Sequence, residues 1–109
     1  MIVALLEAAD FLDAVALSVA SGWGKGRLLD NGEPSCLYGH INELGPPYGP
    51  DFNARQLARY ALLRAVAGSS DADEADPILL WNDAPQRTQD DVIELCHRVA
   101  WELRQRAQP

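Results

Sequence analysis

Basic residues are scarce in this 109-residue chain. Nine lysines and arginines stand against sixteen acids, for a net charge of −7. Such a surface repels phosphate backbones, which argues against direct nucleic-acid binding. The excess is not a tail: residues 1–50 hold six acids and two bases, 51–76 five and three, 77–109 five and four. No basic patch stands out. Cysteine is scarcer still. Cys36 and Cys96 show neither C-x-x-C spacing nor a framework pattern, which speaks for free thiols in a reducing cytoplasm. Long apolar runs are also missing. Glu7, Asp10 and Asp13 interrupt the first apolar stretch, so it reads neither as a secretory signal nor as a membrane span.

What is present is ordinary for a folded domain. Apolar residues make up 48 % and charged residues 23 %, which argues against global disorder. The length suits a single domain over 1–109. In residues 2–20, Ile2, Leu5, Ala9, Leu12, Ala16 and Val19 recur on one stripe, which predicts an amphipathic helix stopped at Gly22. The stretch 22–35 is loop-like, and Asn31-Gly32 is a turn signal compatible with a small hairpin at 27–34. A short helix is expected near 35–44, with Ser35 as cap and Leu37, Ile41 and Leu44 on one face.

A second long helix is predicted over 51–67. Its buried stripe would be Ala54, Leu57, Ala58, Ala61, Leu62 and Ala65. An acidic surface loop follows at 69–77. ILLWN (78–82) reads as one apolar turn that ends near Asp83, because Pro85 pushes Ala84 out of helical geometry. Thr88 and Asp91 form a T-x-x-D capping box for a last helix to about residue 105. Val92, Leu95, Val99 and Leu103 are its inner stripe, with Cys96 beside it. The fold class is therefore all-α: a compact bundle of three longer and two short helices.

Several groupings could carry chemistry. Cys36, His40, Cys96 and His97 offer four metal-ligand types, but adjacent Cys96 and His97 diverge by about 100° on a helix. Asp71, Asp73, Glu74 and Asp76 lack the glycine and the glutamate that a calcium loop needs. Gly22-Trp23-Gly24-Lys25-Gly26 lacks the P-loop spacing, although Lys25 with glycine amides could hold an anion. Cys36 or Ser35 with a histidine would need an oxyanion hole that residue types alone do not supply. Trp81, Asn82, Asp83 and Arg87 are the most distinctive cluster, either a ligand site or a polar network that staples the turn. Asp83 and Arg87 are spaced to pair across that turn.

GWGKGRLLDNGEPSCLYGHINEL (22–44) and ILLWNDAPQRTQDDVIELCHRVA (78–100) together resemble a family of short proteins of actinobacteria and their phages, a domain of unknown function. Its pattern is a leading amphipathic helix, G-W-x-x-G, an acid-x-x-Gly turn, a short Cys-containing helix, and N-D-x-P-x-R-T before the last helix. The resemblance spans most of the chain and raises the weight of Trp23, Gly26, Asn82, Asp83, Arg87 and Thr88. His40 departs from it, standing where a small residue is expected. It implies an architecture and a phage or actinobacterial origin, and no reaction.

The sequence reading is thus a non-enzymatic interaction protein with a protein partner, such as a phage accessory factor acting on a host macromolecule. The alternative is a binder or sequestrant of a nucleotide-like anion. Trp23, Lys25, Gly26, Trp81, Asn82, Asp83 and Arg87 are the expected binding residues, with the W-G-K-G loop and the W-N-D turn side by side at one end. No cofactor or metal is expected.

Overall fold

A computed structural model describes residues 2–24, 36–43, 52–66 and 77–108. Among these, all regular structure is helical: α1 (Ile2–Ala20), α2 (Leu37–Glu43), α3 (Phe52–Val66), α4 (Pro77–Asp83) and α5 (Gln89–Arg106). The hairpin expected at 27–34 and residues 69–76 of the expected acidic loop lie outside the described residues, as do Lys25 and Gly26, while Pro77, expected in that loop, opens α4.

α1 is the central element. It packs most extensively on α5, next on α3, and then on α2, while α4 bridges α2 and α3. Contacts of Val19 with Gln89, Asp13 with His97 and Asp10 with Arg104 set α1 and α5 antiparallel. Being covered on more than one side, α1 needs a wider apolar face than a single stripe. Ala8, Phe11 and Val15 are buried along with Leu5, Ala9, Leu12, Ala16 and Val19. Ile2, read as part of that stripe, is exposed at the helix start. Each large aliphatic in this core, such as fully buried Leu12, contributes about 2 kcal/mol through its removal from water.

α5 follows its sequence pattern closely. Val92, Leu95, Cys96, Val99 and Leu103 are all buried, and Ala100 joins them. Its capping box is complete: Thr88 Oγ1 accepts from Asp91 N, and Asp91 Oδ2 accepts from Thr88 N. α3 departs from expectation at one place. Ala54, Ala58, Leu62 and Val66 are buried and Leu57 and Ala61 partly so, but Ala65 is exposed. The cause is limited contact between α3 and α5, which leaves an open trough there. No helix among the described residues is long and apolar enough to cross a membrane.

Candidate functional site

Every helix end leaves backbone groups without intrahelical partners. Three such ends meet at one side of this bundle: the C-terminus of α1, the N-terminus of α2 and the C-terminus of α4. The residues singled out in the sequence lie at this junction.

Asn82 is its hub and is fully buried. Its Oδ1 accepts from the Trp23 indole Nε1 at 2.6 Å and from the Leu37 backbone N at 3.0 Å. Its Nδ2 donates to the Gly24 carbonyl at 3.2 Å and to Asp83 Oδ1 at 3.0 Å. The amide orientation follows from these partners, since two can only donate and two can only accept. Leu37 N is an orphan amide at the first turn of α2, so Asn82 caps that helix from another one. Cys36 occupies the N-cap position that the sequence assigned to Ser35, which lies outside the described residues.

The amide of Asn82 thus has all four hydrogen-bonding sites in use, and nothing is left on it to receive a ligand. Trp23, partly buried against the core, is tied to it directly. The expected adjacency of the two loops is therefore present for Trp23 and Asn82, in the form of a staple.

The same logic covers the other ends. The Trp81 carbonyl, near the end of α4, accepts from Arg87 Nε at 2.8 Å. The Arg87 guanidinium also lies over the Trp81 ring, 3.8 Å from its centroid, a cation–π contact. Arg87 thus folds back over its own turn. The Val19 carbonyl, near the end of α1, accepts from Gln89 Nε2 at 2.7 Å.

His40 completes the joint. It is nearly fully buried, with Nδ1 2.7 Å from Ser18 Oγ and Nε2 2.7 Å from the Gly22 carbonyl. A carbonyl only accepts, so Nε2 donates its proton to Gly22, while Nδ1 pairs with the Ser18 hydroxyl. Ser18, His40 and Gln89 escaped the sequence reading of this end.

The cysteine and histidine set does not assemble into a site. Among the described residues, no group of three or more His, Cys, Asp or Glu side chains could hold a metal ion. Both thiols are buried. Burial, helped by the nearby Asp13 charge, pushes the Cys96 thiol up to about 12, so it behaves as a small hydrophobe rather than a nucleophile. His97 is exposed on α5, and its Nδ1 lies 2.8 Å from Asp13 Oδ1. Arg104 Nη2 bridges Asp13 Oδ2 at 2.6 Å and Asp10 Oδ1 at 2.9 Å. Those two hydrogen bonds, Asp13 first, raise the pKa of the Arg104 guanidinium above its ordinary value.

This ion cluster joins two surface stripes. Leu6, Asp10, Asp13 and Leu17 share one face of α1, and His97, Trp101 and Arg104 share one face of α5. Trp101 is 60 % exposed and Leu17 75 %, with Leu6 and Val3 also exposed. These residues form a continuous outer surface. An open hollow of about 200 Å³ is lined by Trp81, Arg87, Asp91, Glu94, Leu95 and Arg98.

A model of the "Family of unknown function (DUF6197)" matches residues 4–102, and the chain belongs to that family. No curated protein and no solved structure gives a significant match.

Proposed function

We propose that this protein is a non-enzymatic interaction protein that docks a protein partner on the outer face of α1 and α5. The observation that supports this reading is Trp101, a large aromatic left 60 % exposed beside the Asp10–Asp13–Arg104 cluster, with Leu6 and Leu17 along the same face. Interface hot spots draw heavily on tryptophan and arginine, and contiguous exposed apolar residues mark interaction surfaces. The partner surface would offer an apolar hollow to Trp101. Its rim would be basic, to complement Asp10 and a chain of net charge −7. The cytoplasmic setting, and an accessory role in a phage or actinobacterium acting on a host protein, belong to the same proposal. They rest on free thiols and on the motif resemblance at 22–44 and 78–100.

The test compares wild type with Trp101→Ala and Leu17→Glu, each tagged and gently captured from host cells for native mass spectrometry. Wild type should retain a protein that both variants lose, with melting temperatures unchanged. Identical retention by all three, or none by wild type, would overturn the reading.

A second reading, binding of a nucleotide-like anion, draws on the hollow beside Trp81 with Arg87 and Arg98 at its wall. It would require Arg87 to leave the Trp81 ring before a base could stack there. Quenching of tryptophan fluorescence by a nucleotide panel, abolished in Arg87→Ala, would favour it.

A further inference from the structure

The trough between α3 and α5 has a volume of about 420 Å³. Its floor is apolar: Val99 and Leu103 from α5, Ala61 and Ala65 from α3. Positions 61, 64 and 65 are spaced i, i+3, i+4, and 99, 102, 103 and 106 continue to i+7. Each helix therefore turns one continuous stripe towards the trough. Ala65 belongs by periodicity to the buried face of α3, yet it is exposed. The stripe has the composition of a core, and among the described residues nothing covers its outer part.

The rim is charged, and its sign is opposite to that of the whole chain. Arg64, Arg106 and Glu102 also line the trough, so it carries two positive charges against one negative. Among the described residues neither Arg64 nor Arg106 has an ion-pair or hydrogen-bond partner. Arg87 and Arg104, by contrast, are both engaged within the fold. The trough is also open to solvent on one side. Small-molecule sites enclose most of their ligand. Two parallel helical stripes with an open top instead suit a third helix laid between them.

We propose that this trough receives an amphipathic helix of a partner protein, apolar stripe down, with carboxylates of that helix meeting Arg64 and Arg106. The surface is separate from the Trp101 face, so the two readings stand or fall independently.

The test uses two labelled helical peptides of about four turns, read by fluorescence anisotropy. Both carry the same leucine and alanine stripe, flanked in one by glutamates and in the other by lysines. The net charge of the protein alone predicts that the lysine peptide wins. The trough predicts that the glutamate peptide binds about tenfold more tightly, the sum of two exposed ion pairs. The advantage should vanish in Arg64→Glu/Arg106→Glu. Ala65→Trp, which fills the floor without changing charge, should block binding, and Trp101→Ala should leave it intact. Equal or tighter binding of the lysine peptide would overturn the proposal, as would glutamate-peptide binding that survives both trough variants. Failure of both peptides while dodecanoate binds would assign the trough to a small amphiphile instead. A wild-type dimer in sedimentation that Ala65→Trp dissociates would assign it to a second copy of the chain.

Discussion

Trp23 and Trp101, like His40 and His97, are the same residue types put to opposite uses in two parts of the molecule. At the junction of α1, α2 and α4, the Trp23 indole donates to Asn82 and both ring nitrogens of His40 are engaged. On the outer face of α1 and α5, Trp101 faces solvent and His97 engages Asp13 through Nδ1. The junction is where the local sequence is most distinctive, with tryptophan among glycines and W-N-D ahead of a proline. That distinctiveness has a physical origin. Three helix ends must satisfy their orphan groups in a buried place, and only particular side chains at particular positions can do so. The outer face is built from leucine, aspartate, arginine and one tryptophan, residues that no local rule singles out. Peculiar sequence here marks a joint, and the surface proposed for a partner reads as ordinary helix.

The largest test of this contrast is Asn82→Ala. It would take the partner from the buried Leu37 N–H, and the hydrogen bonds of the part-buried Trp23 indole and Gly24 carbonyl would go with it. The expected loss is about 3 kcal/mol or more, which lowers the melting temperature by roughly 10 °C or more. Asn82→Asp should be at least as damaging, because a carboxylate cannot donate to Gly24 and faces Asp83. Trp101→Ala, measured alongside by urea and thermal unfolding, should stay within about 0.5 kcal/mol of wild type. A near-neutral Asn82→Ala would break the comparison.

The two histidines sharpen it. His40→Ala removes two hydrogen bonds and leaves a small void, for an expected cost of about 2 kcal/mol in urea unfolding. The His97 side chain is 57 % exposed, so solvent screens its contact with Asp13. His97→Ala should cost no more than about 0.5 kcal/mol, and less in high salt. Equal costs for the two would mean that the joint holds no more of the stability than the outer face.

What could be read in the sequence was whatever depends on neighbours along the chain. Periodicity located α1 and the inner stripe of α5. Pro85 and the Thr88–Asp91 box fixed the turn between α4 and α5. That the G-W-x-K-G loop and the W-N-D turn lie near one another was legible because each carries an aromatic and polar groups; the hydrogen bond from Trp23 to Asn82 was not. The contacts of His40 with Ser18 and Gly22, and of Gln89 with Val19, were not. They join side chains to distant hydroxyl and carbonyl groups, and no spacing rule encodes such pairs. Ala65 was misplaced because periodicity reports which face a residue occupies, and not whether a neighbouring helix covers that face.

The smallest expected effect lies at the seam between the two regions, where α5 begins. Asp91 accepts the Thr88 N–H, and chiefly for that reason its pKa is held below the ordinary 3.8; desolvation opposes this, and the Thr88 hydroxyl and the Arg87 charge add smaller pulls downward. A carboxyl with a depressed folded-state pKa stabilises the fold fully above its unfolded value. The contribution fades as pH falls through the folded one. Asp91→Ala should therefore melt below wild type at neutral pH, and the gap should close well below pH 3.8. Thermal melts across the acid range give the sign directly, and a gap that is constant or widens towards acid would contradict the capping role. The box fixes only the first turn of α5, whereas Trp101 lies three turns further along. Asp91→Ala should accordingly leave the partner retained by wild type in place. Loss of that partner would mean that the start of α5, and with it the joint, is coupled to the outer face after all.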